Sequence, residues 1–108
     1  MKTKLEFALG IARKAGAVVT GTEIIRDAIR AKKIRCVILA SDASENTKKR
    51  LRNSCDFHKV RLFEVALDMD ALSSAVGLKR LTSAVGIASH SVIRLVYDAL
   101  QAQTTKES

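Results

Sequence analysis

Residues 21–40 read Gly21-Thr22-Glu23-Ile24-Ile25-Arg26-Asp27-Ala28-Ile29-Arg30-Ala31-Lys32-Lys33-Ile34-Arg35-Cys36-Val37-Ile38-Leu39-Ala40. In the first half, Ile25, Ala28 and Ile29 recur at helical spacing with charged residues between them. That spacing predicts a helix over 22–31. The second half closes on Cys36-Val37-Ile38-Leu39-Ala40, apolar throughout and without alternation. So short and unbroken a run suits a strand covered on both faces. A helix feeding such a strand is the repeating unit of an α/β protein.

The same alternation extends in both directions. Upstream, Leu5, Ala8, Leu9, Ala12 and Ala15 line one face of a helix over 2–15. Phe7 and Ile11 form a second apolar pair, so much of this helix is expected to be covered. Gly16 supplies a stop, and Val18-Val19-Thr20 is a very short β-branched run. Downstream, Ser41-Asp42-Ala43-Ser44 offers N-cap residues for a strongly basic helix over 44–55. A strand over 62–65, a helix over 68–76 stopped at Gly77, and a strand over 84–88 follow. Ser89 or Ser91 caps a closing helix with Val92, Leu95, Val96, Ala99 and Leu100 apolar. The tail after Gln101 is polar and expected to fray. The pattern predicts a small mixed or mostly parallel sheet with helices on both faces. There is no internal repeat, low-complexity tract or linker. The expected organisation is one domain over 1–103 and a polar tail over 104–108.

Hydrophobic residues make up 47% of the 108 positions and aromatics only 4%, so the core must be aliphatic. The net charge of +8, from 19 Lys and Arg against 11 Asp and Glu, favours a polyanionic partner, nucleic acid ahead of membrane. Cys36 and Cys55 are far apart, as are His58 and His90, which argues against a zinc site and leaves no metal or cofactor expected. The basic opening Met1-Lys2-Thr3-Lys4 leads into a segment too short and too charged for a signal sequence, and no later segment reaches membrane-spanning length. Reduced thiols and a cytoplasmic location are the expectation.

The positive charge is clustered. Arg26, Arg30 and Lys33 share a narrow arc of the 22–31 helix, away from its apolar face, and Lys32 and Arg35 add to that end. The helix opens at Gly21-Thr22, where free backbone N–H groups can receive a phosphate and a residue without a side chain admits a nucleic-acid backbone. A solvated basic face is an equally good account of these residues taken alone. Lys48, Lys49, Arg50 and Arg52 cannot all lie on one helix face, and for them ordinary solvated surface is the readier reading. Lys79-Arg80 stands between Leu78 and Leu81. It could set charge on phosphate while the leucines meet bases, although plain loop packing is the simpler reading.

No catalytic set stands out. His58 neighbours Asp56 without a nucleophile, and His90 lies between Ser89 and Ser91 as a cap or surface residue. Cys36 reads as a core thiol, and Cys55 as a thiol at the end of a basic helix. Neither a P-loop nor a GxGxxG motif is present. Asp68 and Asp70 read as N-terminal charge on a helix. A binding protein, not an enzyme, is expected.

Gly21-Thr22, the helix ending near Ala31-Lys32-Lys33, and Val37-Ile38-Leu39-Ala40 followed by Ser41-Asp42 together resemble the kink-turn-binding ribosomal-protein family. Ala40-Ser41-Asp42-Ala43-Ser44-Glu45-Asn46-Thr47-Lys48-Lys49, the opening Leu9-Gly10-Ile11-Ala12-Arg13-Lys14-Ala15-Gly16 and Ala71-Leu72-Ser73-Ser74-Ala75-Val76-Gly77 are most similar to its bacterial YlxQ-like branch. The likeness covers about residues 5–100. It implies a three-layer α/β/α sandwich around a small four-stranded mixed sheet. It also implies structured RNA, including ribosomal RNA, as the partner, and for so basic a chain a monomer is the default expectation. The residues implied at the helix start are Gly21, Thr22, Glu23 and Ile24, with Arg26 one turn in, while Arg30 and Lys33 are binding candidates from the charge arc alone. Leu78, Lys79, Arg80, Leu81 and Thr82 are implied to cover bases flipped out at the kink, and Asp42 is a neighbouring contact. Strong binders in the family carry Asn-Glu or Lys-Gln where this chain has Glu23-Ile24, and a lysine where it has Asp27. A protein–protein adaptor on the same fold is the alternative, and an apolar Ile24 at a helix start is the residue that favours it.

Overall fold

The computed structural model describes residues 3–104, with side chains through 101. The chain runs α1 (Lys4–Lys14), β1 (Val18–Thr20), α2 (Thr22–Arg30), β2 (Cys36–Leu39), α3 (Glu45–His58), β3 (Arg61–Glu64), α4 (Met69–Ala75), β4 (Ala84–Ile87) and α5 (His90–Thr104). The strands form a four-stranded sheet in the order β1-β4-β2-β3. β4 pairs antiparallel with both β1 and β2, and β2 pairs parallel with β3. The sheet is therefore mixed.

The unbroken apolar runs became the central strands, and every residue of β2 and β4 is buried. Side chains alternate across a strand. Cys36, Ile38, Val85 and Ile87 enter a core shared with α1, α4 and α5, while Val37, Leu39 and Ala84 enter a second core shared with α2 and α3. The result is three layers. Ile25 and Ile29 fix α2 to the sheet, both fully buried, each worth roughly 2 kcal/mol of transferred apolar surface. Beneath them a Cβ on Gly86 would lie 2.8 Å from Ile34 Cδ1, so any side chain there would force Ile34 to shift.

Local chemistry sets the helix ends. Thr3 and Glu6 form a capping box on α1, and Ser44, Asp68 and Ser89 accept first-turn N–H groups of α3, α4 and α5. Gly16 and Gly77 stop α1 and α4 in the left-handed region, both at φ +71°.

Some expectations shift. α1 starts at Lys4, Lys2 lies outside the described residues, and Ala15 is exposed beyond the helix. Phe7 is 65% exposed rather than covered, because α4 and α5 take only the Leu5-Ala8-Leu9-Ala12 face of α1. α3 runs a turn past Cys55 to His58. It stops because Lys59 turns left-handed at φ +58° and Val60 N–H donates to the Cys55 carbonyl at 2.8 Å. β3 begins at Arg61, one residue early, and Leu95 is exposed on α5. α5 continues past Gln101 to Thr104, and 105–108 lie outside the described residues.

Candidate nucleic-acid interface

The site begins at Gly21, whose φ of +93° a side-chain-bearing residue rarely adopts. It precedes α2 without any side-chain cap, so no side chain claims the first-turn N–H groups of that helix. Its own N–H donates to Thr82 Oγ1 at 3.3 Å. The Thr82 hydroxyl in turn donates to the Ala84 carbonyl at 2.7 Å, and Thr82 N–H donates to Ser73 Oγ at 2.8 Å. Thr82 is thus a buried clasp between the loop 78–82, α4 and the start of α2.

The clasp closes one side of a groove of about 380 Å³. Gly21, Thr22 and Ile24 line it from α2, and Leu78, Arg80, Leu81 and Thr82 line it from the loop. Residues some sixty positions apart in the chain are brought together. Ile24 is 62% exposed and Leu81 58%, both unusually open for their type. Arg80 and Lys79 are exposed, and neither is ion-paired among the described residues.

The remaining expected residues lie around this groove or apart from it. Glu23 holds two guanidinium groups, Arg26 at 3.5 Å and Arg50 from α3. Arg26 also donates to Ser54 Oγ at 3.4 Å. Arg30 is paired with Asp27 at 2.7 Å, and Lys33 is exposed past the end of α2. Asp42 accepts the Met69 N–H at 2.8 Å, tying its turn to α4 and away from the groove lining. Arg50, which reads as solvated surface in the sequence, reaches Glu23 only through the packing of α3 on α2, which no local pattern in the basic run reveals.

Two further residues of that run, Lys48 and Arg52, are structural. Lys48 is buried, and its Nζ donates to the Ser41 carbonyl at 3.0 Å and to Glu64 at 2.8 Å. Arg52 also binds Glu64. The Lys48 hydrogen bond, with both cations adding to it, holds the Glu64 carboxyl below its usual value. Burial pushes the Cys36 thiol up to about 12 and Cys55 to about 11, which suits unreactive core sulfurs. The neighbouring cations therefore do not activate Cys55. Among the described residues no His, Cys, Asp and Glu cluster could hold a metal ion, and no helix is long and apolar enough to cross a membrane.

The chain is similar to known proteins in both sequence and fold. It is 40% identical over 57 residues to the RNA-binding protein YlxQ of Enterococcus faecium, covering 53% of this chain and 55% of that one. It is 38% identical over 52 residues to the protein of the same name from Bacillus subtilis, covering 48% and 52%. The chain thus spans about half the length of the curated relatives it matches. Its fold is similar to that of a protein of unknown function from Bacillus halodurans, with a TM-score of 0.85 at 26% identity over 93% of this chain and 99% of that one. It also resembles the 15.5 kD RNA-binding protein of Giardia lamblia, with a TM-score of 0.77 at 18% identity over 94% and 86%. Residues 3–96 match the ribosomal protein L7Ae/L30e/S12e/Gadd45 family, and the chain belongs to that family.

Proposed function

We propose that this chain is a non-catalytic, monomeric RNA-binding protein of the cytoplasm. Residues 1–103 act as one domain, and structured, kink-turn-like RNA, ribosomal RNA among the candidates, lies in the groove between the start of α2 and the loop 78–82. The observation that carries this reading is the convergence of Gly21, Thr22 and Ile24 with Leu78, Arg80 and Leu81 in one groove. Each part suits RNA chemistry. Uncapped helix amides receive a phosphate oxygen, and Gly21 lets the sugar-phosphate chain come close. Arg80 adds an exposed cation. Ile24 and Leu81 offer apolar surface to bases that a kink turns out of the stack. The carboxylate of Glu23, held by Arg26 and Arg50, presents a net positive group to the RNA instead of a lone negative one. The matched relatives, named as RNA-binding proteins, support the same reading.

A protein adaptor is the second reading, favoured by the exposure of Ile24 and Leu81 in the same groove. One titration at fixed salt separates the two. The chain is tested against a kink-turn RNA, the same RNA with its sheared G·A pairs replaced, and a plain duplex. Selective binding to the intact kink-turn is expected. Equal binding to all three reduces the site to general RNA affinity. No binding to any of them favours the adaptor, whose partner Ile24→Lys should then displace.

A further inference from the structure

We infer that the RNA-binding surface continues past Gly77 onto α1, where Phe7, Arg13 and Lys14 form a subsite for an unpaired nucleotide flanking the structured RNA. The inference rests on the RNA reading above and goes beyond it to a second site. A groove of about 370 Å³ runs between α1 and α4, a volume within the range of about 300–1,000 Å³ common for small-ligand sites. It adjoins the first groove, since Gly77 lines the one and Leu78, the next residue, lines the other.

Its floor is low because Gly10, Ser74 and Ala75 are small. Phe7 stands at its side, 65% exposed, an aromatic ring outside the core in a chain with few aromatics. Arg13 and Lys14 complete the rim. Both are exposed, and neither has an ion pair among the described residues, unlike Arg26, Arg30, Arg50 and Arg52. The Arg13 guanidinium lies beside Gly77, where an added Cβ would be 2.8 Å from its carbon, which puts this charge at the junction of the two grooves. Glu6, the one acid of the lining, is engaged with Thr3 N–H at 2.8 Å.

Cations in the last turn of α1 also favour the helix dipole, but that role does not require an exposed ring beside them. A ring flanked by unpaired cations matches a base stacked on the ring with its phosphates on the rim. Bases inside a duplex are already stacked and cannot reach a ring in a cleft between helices, so the fitting nucleotide is unpaired.

The test uses the full chain, a blunt kink-turn RNA, and the same RNA with a short unpaired adenosine tail at either end of the kinked strand, titrated over a range of salt. The wild type is expected to bind one tailed RNA about tenfold more tightly than the blunt one. Phe7→Ala, at an exposed position whose fold circular dichroism can verify, should abolish that advantage and leave blunt-RNA affinity unchanged. Arg13→Gln with Lys14→Gln should flatten the salt slope on tailed RNA by about 1.4, or about 0.7 per single-strand phosphate contact. Tight binding of blunt RNA with no advantage for either tail overturns the subsite and leaves the RNA reading standing. So does an advantage that survives both variants, which puts the tail elsewhere on the protein. Failure to bind any of the RNAs overturns both.

Discussion

Glu23 carries an acid into a site otherwise suited to a polyanion, and its two arginine partners change what that acid does. Arg26 comes from one turn along the same helix and Arg50 from α3. Two guanidinium groups on one carboxylate leave a net positive cluster, partly spent on internal pairing. Removing the carboxylate releases both cations toward RNA. Exposed ion pairs are weak, about 0.2–1 kcal/mol each, so the gain is modest. Glu23→Gln is expected to raise RNA affinity about threefold and to steepen its salt dependence, measured by titration at several salt concentrations. A loss of affinity would instead mean that the carboxylate accepts a hydrogen bond from a guanine edge. Thr82 shows the opposite limit of residue-scale reading. Its number was expected among the loop residues, but its hydroxyl is committed to Gly21 and Ala84. It therefore acts on the groove by holding the loop in place.

The strands and helix starts were legible in the chain because their causes are local. Unbroken apolar runs mark β2 and β4, and Ser44, Asp68 and Ser89 stand where caps are needed. The end of α3 was not legible, since Lys59 adopts the left-handed conformation that a glycine would have announced. A non-glycine residue there costs roughly 1–2 kcal/mol. Lys59→Gly is therefore expected to stabilise the protein by about 1 kcal/mol, read as a higher urea midpoint with unchanged slope. Pairing between elements was equally hidden. Lys48 and Arg52 read as solvated surface, yet both bind Glu64 on β3 and fasten α3 to the sheet edge. Because the folded Glu64 carboxyl titrates below its usual 4.5, its stabilising contribution is complete above that value and is lost as pH falls through the folded value. Glu64→Gln should lower the urea midpoint at neutral pH, where the buried Lys48 loses its partner. The two proteins should converge as the pH is taken below the folded value of the Glu64 carboxyl. A difference that persists in acid would assign the effect to packing instead of charge.

Across the whole molecule, the net charge of +8 is less informative than where pairing leaves it uncancelled. Arg26, Arg30 and Lys33 share an arc of the sequence and Lys79-Arg80 reads as a loop pair, but the two groups differ in how they are paired. Arg26 and Arg30 are held by Glu23 and Asp27 on their own helix, while Lys79 and Arg80 stand exposed without ion pairs among the described residues, Arg80 in the groove wall. A cation already paired must give up its partner before it meets a phosphate, so its net gain is small, whereas an unpaired one releases counterions in full. Lys79→Gln with Arg80→Gln is expected to reduce the salt slope of RNA binding by up to about 1.8, or about 0.9 per duplex phosphate contact. Arg26→Gln with Arg30→Gln should change it by less than half as much. The measurement is the slope of log affinity against log salt for the wild type and both double variants on one RNA. Equal slopes for the two variants would mean that the ion pairs of α2 open on binding, and that the RNA lies along the helix as well as across its start.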